Sequence, residues 1–350
     1  MKRGLLNTPA DPTRERRLVA AIRTRAGADP SWLPVGIGDD AAVAVPERGA
    51  LEVFTTDAVI EGVHFDRRFS TPADVGWKAL AVNLSDIAAM GATPRLALLS
   101  IALPEAGAEA ELHALLDGFL ALASEARVAL AGGNLSRSPG PLIVDVTLVG
   151  FVRPRRVLRR GGARPGDQIY VSGSVGTASA GLAYLREVRG EGAPLNDSDG
   201  GTALAGQMET PVARHTRPVP RVRLGMLIGR NRAASACMDL SDGLADGVRQ
   251  ICAASGVGAV IDAAAVPIDP GARRWFERQD GDAVRGAIAG GDDYELVFTV
   301  PRRSRGRLAT VIRQARGVPV TRIGEVTKDP EVVLMRDGRA EPCPEGFTHF

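Results

Sequence analysis

The chain is expected to fold as two lobes of mixed α/β structure, and three observations predict it. Its 350 residues exceed one typical hydrophobic core, which serves roughly 100–150 residues. Segments with strand-like alternation and segments with helical period succeed one another through both halves, as they do in α/β and α+β units. Between the halves, residues 153–167 are rich in Arg, Gly and Pro and have no periodicity, which marks a boundary. The expected domains are therefore 1–152 and 153–350.

Residues 51–56 alternate as a strand does. Thr71-Pro72-Ala73-Asp74 then supplies an N-cap, a proline at the first helical position and an acid at the third, so a helix starts there. Trp77, Leu80, Ala81, Leu84, Ile87 and Ala88 recur at helical spacing until Gly91 offers a stop. Asn83 and Asp86 fall off this apolar stripe and are expected on a second face of the helix. Residues 96–103 read as a strand, 109–126 as a helix, 128–132 as a short strand and 142–152 as a long one. The second half opens with a strand at 168–172 and a glycine turn at 173–176 leading into a helix through Leu185. A Gly-, Asp- and Ser-rich stretch at 190–206 reads as a surface loop. Helices near 221–229 and 241–255 and strands at 258–261 and 294–300 follow, with no fixed-period repeat.

Apolar residues are 45% and charged residues 24% of the chain, values that let a globular core form without covalent staples. The longest apolar runs fall far short of the ~20 residues that span a bilayer. Residues 1–10 carry no secretory signal pattern, so the expected location is the cytoplasm. Cys237, Cys252 and Cys343 are too widely spaced for a disulfide framework or a structural zinc site. Basic residues are scattered with few aromatics between them, which argues against a nucleic-acid surface.

The acids are more informative. They gather at Gly38-Asp39-Asp40, Thr55-Thr56-Asp57, Asn83 with Asp86, Asp239-Leu240-Ser241-Asp242, and Gly290-Gly291-Asp292-Asp293. Four of these five sit at glycine turns or element ends, where a scaffold places binding groups. Hard oxygen donors there suit Mg²⁺, which takes a few carboxylates together with water and substrate phosphates. Each cluster taken alone has a plainer reading: an Asp after Gly forms turns, and Asp239 or Ser241 could cap the following helix. No Gly-x-x-x-x-Gly-Lys-Ser/Thr loop exists and lysine occurs only at 2, 78 and 328, so phosphate binding must rest on metal-holding carboxylates and arginine.

Six ordered motifs carry a resemblance: Gly36-Ile-Gly-Asp-Asp40; Thr55-Thr-Asp57 with Gly62-Val-His64-Phe65; the run from Lys78 through Asn83 and Asp86 to Gly91; Asp239-Leu-Ser-Asp-Gly-Leu244; Gly290-Gly-Asp-Asp-Tyr-Glu-Leu296; and the terminal Gly346-Phe-Thr-His-Phe350. In order and spacing the chain resembles the thiamine-monophosphate kinases, which share the two-lobed fold of the aminoimidazole ribonucleotide synthetase superfamily. The resemblance implies an N-terminal lobe that binds ATP and Mg²⁺ and dimerises through its sheet, and a C-terminal α/β lobe that completes the active site. It implies ATP-dependent phosphorylation of thiamine monophosphate to thiamine diphosphate, with several Mg²⁺ ions and a homodimer. Asp40, Thr55, Thr56, Asp57, Asp86, Asn134, Asp239 and Asp242 would hold metal, Asp57, Asp86 and Asp242 being catalytic. Gly133, Asn134, Arg160 and Ser241 would bind the nucleotide, and His64 and Asp292 the thiamine phosphate.

Three departures stand out against the family pattern. Gly132-Gly133-Asn134 replaces the usual Gly-Gly-Asp, exchanging a carboxylate for an amide that coordinates Mg²⁺ less strongly. Asp292 is one methylene shorter than the usual Glu, and an aromatic is missing at 343–345. Two alternatives stay open at this point: another ATP-using enzyme of the superfamily with a different phosphorylated acceptor, or a nucleotide-binding homologue without turnover.

Overall fold

The computed structural model describes residues 12–104, 108–189, 205–279 and 281–347. The segment 1–10, most of the loop expected at 190–206 and the last three residues of the terminal motif lie outside them.

The first lobe contains α1 (Pro12–Ala26), β1 (Leu51–Ile60), α2 (Pro72–Ala89), β2 (Thr93–Leu103), α3 (Ala108–Ala126), β3 (Ala129–Arg137) and β4 (Ile143–Val152). Its sheet runs β1-β4-β2-β3, antiparallel except for the β2/β3 pair. β3 continues past the Gly132-Gly133 pair at which the sequence reading ends it, because the parallel ladder with β2 extends to Arg137. Only Gly fits at 133, where a Cβ would lie 1.8 Å from the Leu99 carbonyl oxygen.

α2 begins as its sequence dictates. Thr71 Oγ1 accepts from the Asp74 amide at 3.2 Å, and Asp74 Oδ2 accepts from the Thr71 amide at 3.0 Å, a reciprocal capping box ahead of Pro72. It ends before Gly91, which takes a left-handed φ of 66°. α2 and α3 cover one face of the sheet, and Leu80, Leu84, Leu112, Leu115, Leu116 and Phe119 pack there with the inward side chains of β2 and β4. On the other face Leu33, Ala42 and Ala44 pack against Leu96, Ala131 and Val149, while Phe54 and Leu98 remain exposed.

The second lobe contains β5 (Gln168–Ser172), α4 (Thr177–Arg189), α5 (Glu209–Thr216), α6 (Val222–Asn231), β6 (Ala236–Asp239), α7 (Leu244–Ser255), β7 (Gly258–Asp262), α8 (Pro270–Gln279), α9 (Ala283–Ala289), β8 (Leu296–Val300), α10 (Arg305–Ala315), β9 (Val320–Thr327), β10 (Val332–Arg336) and β11 (Arg339–Pro342). They build a seven-stranded mixed sheet in the order β11-β10-β7-β9-β5-β8-β6. Two mixed sheets with helices bear out the expected two-lobed α/β class. Among the described residues no helix is long and apolar enough to cross a membrane, and all three cysteines are free and buried.

The lobes meet along α2, which is buried on nearly every side. α6 packs so closely against its end that a Cβ on Gly225 would lie 1.9 Å from the Ala88 carbonyl oxygen. Ala88 and Ala89 join Leu224, Ile228 and Phe298 of the second lobe in one apolar cluster, and Tyr294 of the second lobe sits in the core of the first. Asn83, off the apolar stripe, is fully buried in this packing, its amide donating to the Ala79 carbonyl at 3.0 Å.

Candidate active site

A cleft of about 670 Å³ opens at the junction of the lobes. β1 sends Asp57 into it and the turn after β1 sends His64; α2 adds Asp86. The second lobe contributes Asp239 from the end of β6, Ser241 and Asp242 from the turn after it, Asp292 from the turn before β8, and Arg160 arrives on the connector between the lobes. Eight residues expected in the site thus line one cavity.

Strand alternation points Val53, Thr55, Asp57 and Val59 toward α2. Thr55 donates its hydroxyl to Asp86 Oδ2, which anchors that carboxylate to the sheet. Ser85, one residue earlier on α2, donates to Asp239 Oδ2 at 2.8 Å across the lobe junction. Burial first, and the charge of Asp86 second, push both Asp57 and Asp239 up to about 7. The plainer reading of Asp239 and Ser241 as helix caps fails, since the N-cap of α7 is Gly243 and no side chain caps that end.

Asp292 is held from three sides. Lys78 Nζ donates to its Oδ2 at 2.8 Å, Tyr294 Oη donates to its Oδ1 at 3.1 Å, and His215 Nδ1 lies 3.5 Å from Oδ2. Burial alone would raise this carboxyl, but the Lys78 charge and His215 outweigh it and hold Asp292 far below the usual range. His64 Nδ1 accepts from the Ile60 amide at 3.1 Å. Arg160 donates to Gln250 Oε1 at 2.6 Å.

The remaining expected residues do not join the cleft in this chain. Thr56 points to the face of the sheet away from α2, where its hydroxyl lies 3.2 Å from that of Thr147. Asn134 is exposed on the same face, in register with Ser100 and through it with Asp145. Gly133 is exposed beside it, and Asp40 lies on an exposed turn where its amide donates to Asp39 Oδ1 at 2.8 Å. Sequence reasoning left Lys78, Ser85, Tyr294 and Arg186 out of the site, although Arg186 and Tyr294 line the cleft. A lone lysine inside an apolar helix is a signal that could have found Lys78. Nothing local distinguishes Arg186.

The N-terminal domain profile of AIR synthase related protein matches residues 38–152, and its C-terminal domain profile matches 164–337. Thiamine-monophosphate kinase of Salmonella typhimurium is 40% identical over 343 residues, covering 96% of this chain and 98% of the relative. The chain belongs to the thiamine-monophosphate kinase family. Among solved structures, thiamine-monophosphate kinase from Stenotrophomonas maltophilia K279a matches with a TM-score of 0.79 at 38% identity, covering 93% of this chain and 96% of that one. AaThiL complexed with AMPPCP and TMP matches with a TM-score of 0.73 at 31% identity, covering 96% and 97%. The stretch that lacks the family's aromatic, 343–345, borders the cavity through Glu345, next to Gly346 and Phe347.

Proposed function

We propose that this chain transfers the γ-phosphoryl group of ATP to the phosphate of thiamine monophosphate, yielding ADP and thiamine diphosphate. The observation that carries the reading is the shared cleft: Asp57, Asp86, Asp239 and Asp242 come from two lobes into one cavity with Arg160, Ser241, His64 and Asp292. The family membership and the AMPPCP and TMP complex of AaThiL support the choice of donor and acceptor.

Mg²⁺ suits the donor set. The acids are hard oxygen donors, and burial with mutual repulsion raises two of them, which a cation would relieve. Among the described residues no three acid, histidine or cysteine side chains close into a metal cage. Asp57, Asp86, Asp239 and Asp242 would hold the ion, with Thr55 steadying Asp86. When bound, Mg²⁺ supplies the positive charge that screens the two phosphates from each other.

The rest follows from the chain's own groups. Arg160 offers a planar set of donors to nucleotide phosphate oxygens, and the Ser241 hydroxyl adds another. Because His64 Nδ1 accepts a backbone proton, the neutral ring carries its own proton on Nε2 and can donate to the acceptor phosphate. An oxygen of that phosphate is already anionic, so no general base is required. It forms the new bond to the γ-phosphorus as the bond to the β–γ bridging oxygen breaks in line and ADP departs. Positioning and electrostatics carry the acceleration.

The domain division at 152/153, a homodimer and a cytoplasmic location belong to the same reading. The face of the first sheet away from α2, with Phe54 65% and Leu98 37% exposed, supports a second copy there. Thr56 and Asn134 lie on that face. The test is ADP release by the purified chain with Mg-ATP, with and without thiamine monophosphate. Release that depends on the acceptor supports the reading, and release independent of it, or none, overturns it.

A further inference from the structure

Lys78 is one of three lysines in the chain, and it is buried in α2 at 3% exposure. A buried ammonium is expensive unless it is paired and hydrogen-bonded. Its Nζ has two partners, the Asp292 carboxylate at 2.8 Å and the main-chain carbonyl of His64 at 2.9 Å. These are the two residues assigned above to the acceptor, one from each lobe. We propose that Lys78 is the positioning residue of the acceptor end of the cleft, pinning the Asp292 turn of the second lobe and the His64 turn of the first at one separation.

The Asp292 turn is a segment that needs holding. Asp292 and Tyr294 both take left-handed φ values, 69° and 51°, a region in which a non-glycine residue is strained. Backbone bonds fix one side of the turn, from the Asp292 amide to the Ser241 carbonyl at 2.7 Å and from the Tyr294 amide to the Leu240 carbonyl at 2.9 Å. Those bonds lie within the second lobe and tie the turn to the Ser241 loop. Lys78 provides the tie across the junction, beside Tyr294, whose ring enters the core of the first lobe. With Lys78 removed, the Asp292 side chain loses its cationic partner and the His64 turn its cross-link. The nucleotide side, built on Arg160 and Ser241, has no hydrogen bond to Lys78.

This inference rests on the kinase reading, and the experiment separates the two. The wild-type chain, Lys78→Met, Asp292→Asn and the double variant are compared for the KM of thiamine monophosphate, the KM of ATP and the thermal midpoint. Lys78→Met should raise the acceptor KM at least tenfold and leave the ATP KM within about twofold. The double variant should lose less than the two single losses combined, because Lys78 and Asp292 share one contact, and Lys78→Arg should recover part of the loss. An acceptor KM unchanged in Lys78→Met, equal shifts in both KM values, or additive effects in the double variant overturn the proposal. Should Lys78→Met fail to fold, Lys78→Gln, which keeps one donor, carries the same KM comparison. A wild-type chain that does not phosphorylate thiamine monophosphate overturns the kinase reading itself.

Discussion

Replacing Asp86 by Asn should abolish turnover and yet make the metal-free protein more stable at neutral pH. Asp86 is the leading charged cause, after burial, of the raised carboxyls of Asp57 and Asp239, each held at about 7 instead of 3.8. A carboxyl displaced that far loses about 4 kcal/mol in its ionised form, at 1.36 kcal/mol per pH unit. Burial persists in the variant and Asp57 is partly solvated, so screening leaves about 1–2 kcal/mol to be recovered across the pair. Asn keeps an oxygen to accept the Thr55 hydroxyl, so little packing is lost. Because both carboxyls are raised on folding, their contribution is fully present below about pH 4 and is lost as pH rises through about 7. The variant should therefore melt a few degrees higher than wild type at pH 8 in EDTA, with a smaller gain at pH 5. Added Mg²⁺ should stabilise wild type more than the variant. A variant that melts lower at pH 8, or one that keeps near-normal turnover at saturating Mg²⁺, would refute the account of this acid.

Arg160→Ala should cut kcat/KM for ATP by more than about tenfold, or about 1.4 kcal/mol, whereas Arg156→Ala, exposed and outside the cleft, should leave it nearly unchanged; similar small effects from both would remove Arg160 from the site. Gly225→Ala should destabilise the chain by roughly 1–3 kcal/mol in denaturant unfolding, since the new methyl meets the Ala88 carbonyl at 1.9 Å and forces α6 off α2. Unchanged stability would mean that the lobe junction is loosely packed.

Much of this architecture is written in local chemistry. Thr71-Pro72-Ala73-Asp74 announces α2 because a capping box needs only four neighbouring residues, and the acids at glycine turns announce the cleft because turns leave side chains free to bind. What escaped detection is tertiary. Asn83 is expected on a second face of α2, but only the packing of α3 and α6 around the helix shows that face to be buried, with the Asn83 amide turned back onto its own backbone. β9 pairs with β5 and β7, and β10 with β7, all far away in sequence, while β11 is a short, mostly exposed edge strand that pairs only with β10. Lys78 gains its meaning from Asp292, 214 positions later. Thr56 follows Thr55 in the motif, but strand alternation sends the two side chains to opposite faces, and register places Asn134 on the face of Thr56.

The central claim is that the cleft moves a phosphoryl group between two bound phosphates. ATP labelled at the γ-phosphate, incubated with the chain, Mg²⁺ and thiamine monophosphate, tests it most directly. The label should appear in the terminal phosphate of thiamine diphosphate, one for each ADP formed, and should fail to appear with Asp57→Asn. Label recovered as inorganic phosphate, or transferred equally well by Asp57→Asn, would contradict the account.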